Sequence, residues 1–215
     1  MIECPVCGHI SEHFLPVGKI TVRPNAKCPS CGAYERHRLI GWYLIGRSMI
    51  APNLRVLEIG PTPCLQSIIA KAGGEVVSID LAERSGSICM DVEKMSFPDD
   101  SFDAVLCIHV LEHVTHDDLA LKEIFRVLKP GGWAVLMVPI FENRPATDED
   151  PSVIDPAERE RRFGQSDHVR LYGSDYADRC IAAGFRMEIV NVMDPKVIAR
   201  HGFLPGEKLY IGWKD

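Results

Sequence analysis

From Arg55 onward the chain alternates short apolar runs with segments of helical periodicity, and that alternation limits it to a sheet wound by helices. Arg55–Gly60, Glu75–Leu81, Ser87–Val92, Phe102–Val110, Trp133–Ile140, Arg186–Val192 and Leu209–Trp213 read as seven strands. Phe102–Val110 is rich in β-branched and apolar residues, as a strand buried on both faces should be. Leu65–Ala72 and Ser174–Ala183 read as helices, and Leu121, Ile124, Phe125 and Leu128 mark another, which Pro130-Gly131-Gly132 is expected to end. The expected class is therefore α/β, a doubly wound and mostly parallel seven-stranded sheet. Ligands of such sheets bind beyond the carboxyl ends of the strands.

The first thirty residues follow another logic. Cys4-Pro5-Val6-Cys7-Gly8 recurs in kind as Cys28-Pro29-Ser30-Cys31-Gly32, two C-x2-C knuckles separated by twenty residues. Two thiolates three positions apart grip one ion from a tight turn, and two such turns complete a tetrahedron. Cys4, Cys7, Cys28 and Cys31 are thus expected to hold a structural Zn2+ in a zinc ribbon over 1–33, with Phe14–Val17 and Lys19–Val22 as its strands. A redox dithiol is the competing reading, but it needs no duplicate. A connecting helix is expected over 34–52, stopped by Pro52, with Arg36, His37 and Arg38 facing water or lining an entrance. The remaining 53–215 forms the main domain, with 141–173, too long and irregular for an idle connection, as a substrate lid.

The chain carries 24 Lys and Arg against 30 Asp and Glu, a net charge of −6 that works against a nucleic acid partner. A small or uncharged substrate is the better expectation. Basic residues at Arg159, Arg161, Arg162 and Arg170 are read as a solvated face or as a clamp for an anionic group. No apolar stretch is long enough for a membrane span, and Met1 is followed at once by Glu3 and Cys4 rather than by a basic and apolar leader, so the expected address is cytoplasmic. Cys64, Cys89, Cys107 and Cys180 read as small core residues. The oligomeric state is not legible.

The first strand ends in Glu58-Ile59-Gly60-Pro61-Thr62-Pro63, and Asp80 follows Gly60 by twenty residues at the end of the second. A carboxylate there takes two ribose hydroxyls, in dinucleotide and S-adenosylmethionine sites alike. The loop decides between them. A pyrophosphate needs several glycines and free amides, whereas Pro61 and Pro63 remove donors and leave Gly60 alone. S-adenosylmethionine has no phosphate and suits an acidic Glu58 beside a glycine. Asp91-Val92 adds an acid past the third strand, placed for an adenine amino group.

These features resemble the class I S-adenosylmethionine-dependent methyltransferases, in the subgroup with the type 11 methyltransferase domain. The resemblance covers about Arg55 to Lys214 and is carried by Phe97-Pro98-Asp99-Asp100-Ser101-Phe102-Asp103, Val110-Leu111-Glu112-His113-Val114 and Arg126-Val127-Leu128-Lys129-Pro130-Gly131-Gly132. It implies a Rossmann-like fold. It also implies that Glu58, Gly60, Pro61 and Thr62 contact the methionine part, Asp80 and Leu81 the ribose, Asp91 and Val92 the adenine, and Ile108 and His109 the cofactor's flank. Where that class has a G-x-G loop, this chain has Gly60-Pro61-Thr62-Pro63. The cysteine knuckles and Phe163-Gly164-Gln165-Ser166-Asp167-His168-Val169-Arg170 resemble a narrower bacterial branch that carries an N-terminal zinc ribbon.

Methyl transfer from a sulfonium needs near-attack geometry first, and a base only where the acceptor must lose a proton. His168, oriented by Asp167 or another carboxylate, heads the candidates, with a purely structural role as its alternative; His113 and Glu112 follow. The leading reading is methyl transfer to an oxygen or nitrogen of a small molecule. An RNA methyltransferase docking through the zinc ribbon and a non-catalytic binding protein of the same fold stay open beside it.

Overall fold

The computed structural model describes residues 1–18, 21–82 and 87–215. Its elements run β1 (Ile2–Glu3), β2 (Ile10–Ser11), β3 (Leu15–Val17), β4 (Arg23–Lys27), α1 (Glu35–Gly46), β5 (Arg55–Ile59), α2 (Pro63–Lys71), β6 (Glu75–Asp80), β7 (Ile88–Cys89) and β8 (Phe102–Ile108). A 3-10 turn (Leu111–His113), α3 (Asp117–Val127), β9 (Leu128–Met137), β10 (Asp148–Glu149), α4 (Pro156–Phe163), β11 (Arg170–Leu171), α5 (Tyr176–Ala182), β12 (Arg186–Asn191), α6 (Pro195–His201) and β13 (Lys208–Trp213) follow. Seven strands form one sheet in the order β12-β13-β9-β8-β5-β6-β7. β5 with β8, β8 with β9 and β6 with β7 are parallel, while β13 runs antiparallel to β9. The fold is the doubly wound, Rossmann-like one expected.

The chain divides into two compact units. One contains Arg55–Pro61, Val77–Glu188 and Tyr210–Asp215. Its core joins Leu57 and Ile59 of β5, Val105 and Cys107 of β8, Ala134 and Leu136 of β9, the α3 stripe Leu121, Ile124 and Val127, and the rings of Tyr172, Tyr176 and Phe185. β8 is buried along nearly its whole length, which explains its apolar run from Ala104 to Ile108; Asp103 falls at its one partly exposed position.

α3 ends earlier than its Pro-Gly-Gly sequence implies. Leu128 already has extended dihedrals and pairs with Phe102, so Pro130-Gly131-Gly132 lies inside β9. There the register shifts, the Gly131 amide reaches Lys214 O at 2.7 Å, and a side chain on Gly132 would sit 2.8 Å from Asp103 O. These glycines serve a bulge and a close backbone approach, not a helix cap.

The other unit contains Met1–Leu54, Thr62–Val76 and Ile189–Leu209. It holds the two cysteine turns, the pairs β1/β2 and β3/β4, and helices α1, α2 and α6. Of the strand expected over Lys19–Val22, Lys19 and Ile20 lie outside the described residues, and the partner of β3 begins at Arg23.

The expectation that Arg36, His37 and Arg38 face water is overturned for the last two: His37 is buried and Arg38 is 0% exposed. The Arg38 guanidinium donates to the carbonyls of Asn25, Ala26, Ala33, His201 and Gly202, and lies 5.1 Å from the Phe14 ring centre. Planar, forked donors make arginine the residue able to satisfy so many acceptors at once.

Nearby, burial pushes the Glu207 carboxyl up from 4.5 to about 7, against the opposing pull of Arg36. The folded value lies above the ordinary one. The associated stability is therefore complete below about pH 4.5 and lost as pH rises through about 7. Glu207→Gln is expected to raise the melting temperature at about pH 8.5 and to leave it nearly unchanged at about pH 5. Equal shifts in thermal melts at both pH values would contradict this.

Candidate functional site

The chain leaves β5 toward β6 and β7 on one side, while β8 and β9 continue on the other. The topological switch point therefore lies at the carboxyl ends of β5 and β8. Glu58, 1% exposed near the end of β5, accepts a hydrogen bond from Ser78 Oγ of β6 at 3.0 Å. Gly60 follows with φ +76°, its amide donating to Ile79 O at 3.0 Å. A Cβ there would meet Val110 Cγ2 at 3.2 Å, so both the backbone and the close approach call for glycine.

Asp80 ends β6 and accepts from the Ala82 amide at 3.0 Å. It pairs in register with Cys89, and the Met90 amide returns to its carbonyl at 3.1 Å. Asp91 comes next, exposed, its side chain accepting from the Glu93 amide at 2.9 Å. Val92 is sealed in the core, whereas Leu81 is 68% exposed. Ile108, buried, closes β8, and His109 turns left-handed at φ +55° with Nδ1 3.1 Å from Glu112 Oε1. Glu58, Gly60, Asp80 and Asp91 thus succeed one another along the β5, β6 and β7 ends, with Ile108 and His109 at the end of β8. Pro61 is half-buried. Thr62 belongs to the other unit, where its carbonyl accepts from the Leu65 and Gln66 amides at the start of α2.

The turn after β8 carries a second group. His168 is 5% exposed, with Nδ1 3.2 Å from Phe163 O and its ring edge-on to His113, centroids 4.7 Å apart. Burial, aided by the neighbouring His113, holds its pKa below the ordinary histidine value and so keeps it neutral at pH 7. Asp167 attends His113: both its carbonyl and Oδ2 lie 3.3 Å from His113 Nδ1. His168 is oriented by a main-chain carbonyl.

Residues 57–136, from β5 to the end of β9, match the family described as Methyltransferase domain. That match spans well under half of the chain. The ubiquinone/menaquinone biosynthesis C-methyltransferase UbiE of Bordetella avium (strain 197N) is 35% identical over 116 residues, covering 45% of this chain and 45% of that protein. The chain thus spans under half the length of this curated relative. Among solved structures, the S-adenosylmethionine dependent methyltransferase from Mesorhizobium loti superposes with a TM-score of 0.54 at 18% identity, over 80% of this chain and 96% of that one. A chain of a complex containing the Haloferax volcanii Trm112 methyltransferase activator gives 0.56 at 17%, over 80% and 89%. At these identities the solved structures speak for the fold alone.

The segment 141–173 is laced to the turn after β8. Arg170, 3% exposed, donates to the carbonyls of Leu111, Val114 and Thr115 and to Glu149 Oε2. Tyr172 OH donates to Asp117 at 2.9 Å, and the Val169 amide to Glu112 O at 2.9 Å. Arg162 is held by Asp148 and Asp150, and Arg159 by the Val153 carbonyl. Arg170 and Arg162 are therefore internal ties, not anion clamps. Of the four further cysteines, Cys64, Cys107 and Cys180 are buried as expected, but Cys89 is exposed on β7.

In the N-terminal unit the two knuckles superimpose in kind. The Gly8 and Gly32 amides return to Cys4 O and Cys28 O at 2.8 and 3.0 Å, with φ of +74° and +75°. Cys4 Sγ lies 3.7 Å from Cys31 Sγ, and Cys7 Sγ 3.8 Å from Cys28 Sγ. Tetrahedral bonds of about 2.3 Å from sulfur to one ion place sulfurs about 3.8 Å apart. The four therefore fit a metal ion. Burial pushes the Cys4 thiol up to about 12, so a cation is what would let these sulfurs ionise together.

Proposed function

We propose that this chain transfers a methyl group from S-adenosylmethionine to a small-molecule acceptor that must lose a proton, and that Cys4, Cys7, Cys28 and Cys31 hold a structural Zn2+. The observation that carries the first reading is the run of acids Glu58, Asp80 and Asp91 along strand ends at the switch point, beside a loop whose Pro61 and Pro63 offer no amides to a phosphate. The matched methyltransferase domain supports it.

When bound, S-adenosylmethionine supplies a methyl carbon on a sulfonium, and the acceptor's lone pair displaces the thioether in line. Asp80 would accept from the two ribose hydroxyls. Glu58, fixed by Ser78, would sit beside the cationic amino-acid end with Gly60 and Pro61, and Asp91 would take the adenine amino group. Leu81, Val92, Ile108 and His109 would wall the cofactor. The segment 141–173 would cover the acceptor, whose proton would be taken at the cluster of Glu112, His113 and His168, with Asp167 orienting His113.

An RNA acceptor is opposed by the net charge of −6 and by the engagement of Arg38, Arg162 and Arg170 within the fold. The name of the Bordetella avium relative adds a carbon acceptor to the oxygen and nitrogen expected from sequence. Among the described residues no helix is long and apolar enough to cross a membrane.

Calorimetric titration with S-adenosylmethionine tests the reading. Asp80→Ala is expected to weaken binding by about 1.5–3 kcal/mol, roughly 10- to 150-fold, through loss of charge-assisted hydrogen bonds. No binding by the wild type would refute the function, and unchanged affinity in the variant would remove Asp80 from the site. Binding without turnover across a metabolite extract would favour a non-catalytic role.

A further inference from the structure

Three side chains after β8 and in the 141–173 segment form a second possible ligand set. Glu112, His113 and His168 each offer a ligand atom within 4.8 Å of the other two. We propose that they bind one divalent transition-metal ion, separate from the ion of the four cysteines.

Glu112 carries the first argument. Its side chain is 2% exposed; Oε1 is held by His109 Nδ1 at 3.1 Å, but Oε2 is buried with no hydrogen-bond partner. A buried carboxylate oxygen left unpaired is costly, and a cation is the partner that its charge calls for.

The imidazoles carry the second. His168 Nδ1 faces Phe163 O at 3.2 Å, and His113 Nδ1 faces the carbonyl and carboxylate of Asp167 at 3.3 Å. An Nδ1–H given to oxygen leaves Nε2 with its lone pair, the arrangement in which metal-binding histidines are held by outer partners. All three ligands therefore already have such a partner: His109 for Glu112, Asp167 for His113, Phe163 O for His168. The backbone is fixed as well, since the Val169 amide donates to Glu112 O at 2.9 Å and the His113 amide to Val110 O at 2.9 Å.

Two imidazoles and one carboxylate suit iron(II), cobalt(II), manganese(II) or zinc(II) better than magnesium or calcium, which prefer all-oxygen ligands. Three protein ligands leave coordination positions open, in contrast to the closed four-sulfur set. Resting on the proposed methyltransferase reading, an oxygen of the acceptor would complete the coordination, so that Glu112, His113 and His168 would act on its proton through the ion rather than as free bases, which favours acceptors with a hydroxyl or enol oxygen.

The test uses the full chain with zinc retained at the cysteines, titrated with Co2+ alone. One further equivalent is expected, with an absorption band of nitrogen and oxygen ligation and no sulfur-to-cobalt charge transfer. His113→Ala, a partly exposed side chain, and Glu112→Gln should each weaken that equivalent at least 10-fold. Absence of a further equivalent, or undiminished binding by both variants, overturns the site. S-adenosylmethionine titrated separately distinguishes the two failures: cobalt bound without cofactor sinks only the methyltransferase reading, and cofactor bound without cobalt sinks only the metal.

Discussion

Cys31→Ser, or a chelator that outcompetes four thiolates, is expected to unfold residues 1–33. So short a segment cannot bury enough apolar surface to hold itself together, and the strands it owns are only two to five residues long. Beyond its ties to Arg38, its order is expected to come from the ion. Structural zinc contributes about 10–16 kcal/mol of apparent binding free energy in isolated fingers, far beyond the stability of any module this size. Hydrogen exchange should show the Gly8 and Gly32 amides, which return to the Cys4 and Cys28 carbonyls, losing protection on chelation. Elemental analysis should find zinc at one ion per four-cysteine set. Unchanged protection after chelation, or protein free of bound metal, would overturn the zinc reading.

Arg38→Met should be the most damaging substitution away from the cysteines, costing about 3–5 kcal/mol. The guanidinium, fully buried, serves five carbonyls: two on β4, one after the second knuckle, and two at the end of α6. Methionine fills the volume and takes the guanidinium from all five acceptors, of which Ala33 O keeps the Cys28 amide, and each orphaned buried group is expensive. Lysine keeps the charge but has three donors on a single nitrogen, so Arg38→Lys should recover only part of the loss. Urea denaturation gives the comparison. An unfolding free energy for Arg38→Met within about 1 kcal/mol of wild type would show that water replaces the guanidinium at little cost.

The strands of the central sheet were legible because burial on both faces leaves an apolar run, as in Ala104–Ile108. Two helices were not legible from periodicity, yet each carries a terminal signal. Asp155-Pro156 begins α4, with Asp155 accepting from the Glu158 amide, and Gly164 ends it at φ +83°. Asp194-Pro195 begins α6 in the same manner, and Gly202 ends it at φ +60°. Caps are local and survive in a sequence that has no apolar stripe; a reading built on stripes passes over them. The Pro130-Gly131-Gly132 run shows the opposite failure. It carries a strong helix-stop signal, but the structure uses it for a bulge inside β9.

The candidate site divides along the same line. The positions of Glu58, Gly60, Asp80 and Asp91 follow from strand ends, which sequence fixes locally. The partnerships of Glu112, His113, Asp167 and His168 do not, because 54 residues separate His113 from Asp167. Arg170 was read as a surface charge and proved to be a buried tie across 55 to 59 residues.

By itself, then, the sequence determined the α/β class, the four-cysteine metal framework and the acidic strand ends, since each rests on spacing within one element or one turn. Only the tertiary structure decided which charges are buried and what they hold. A charged side chain reads the same in water or in a core until the carbonyls and carboxylates that satisfy it arrive from distant parts of the chain.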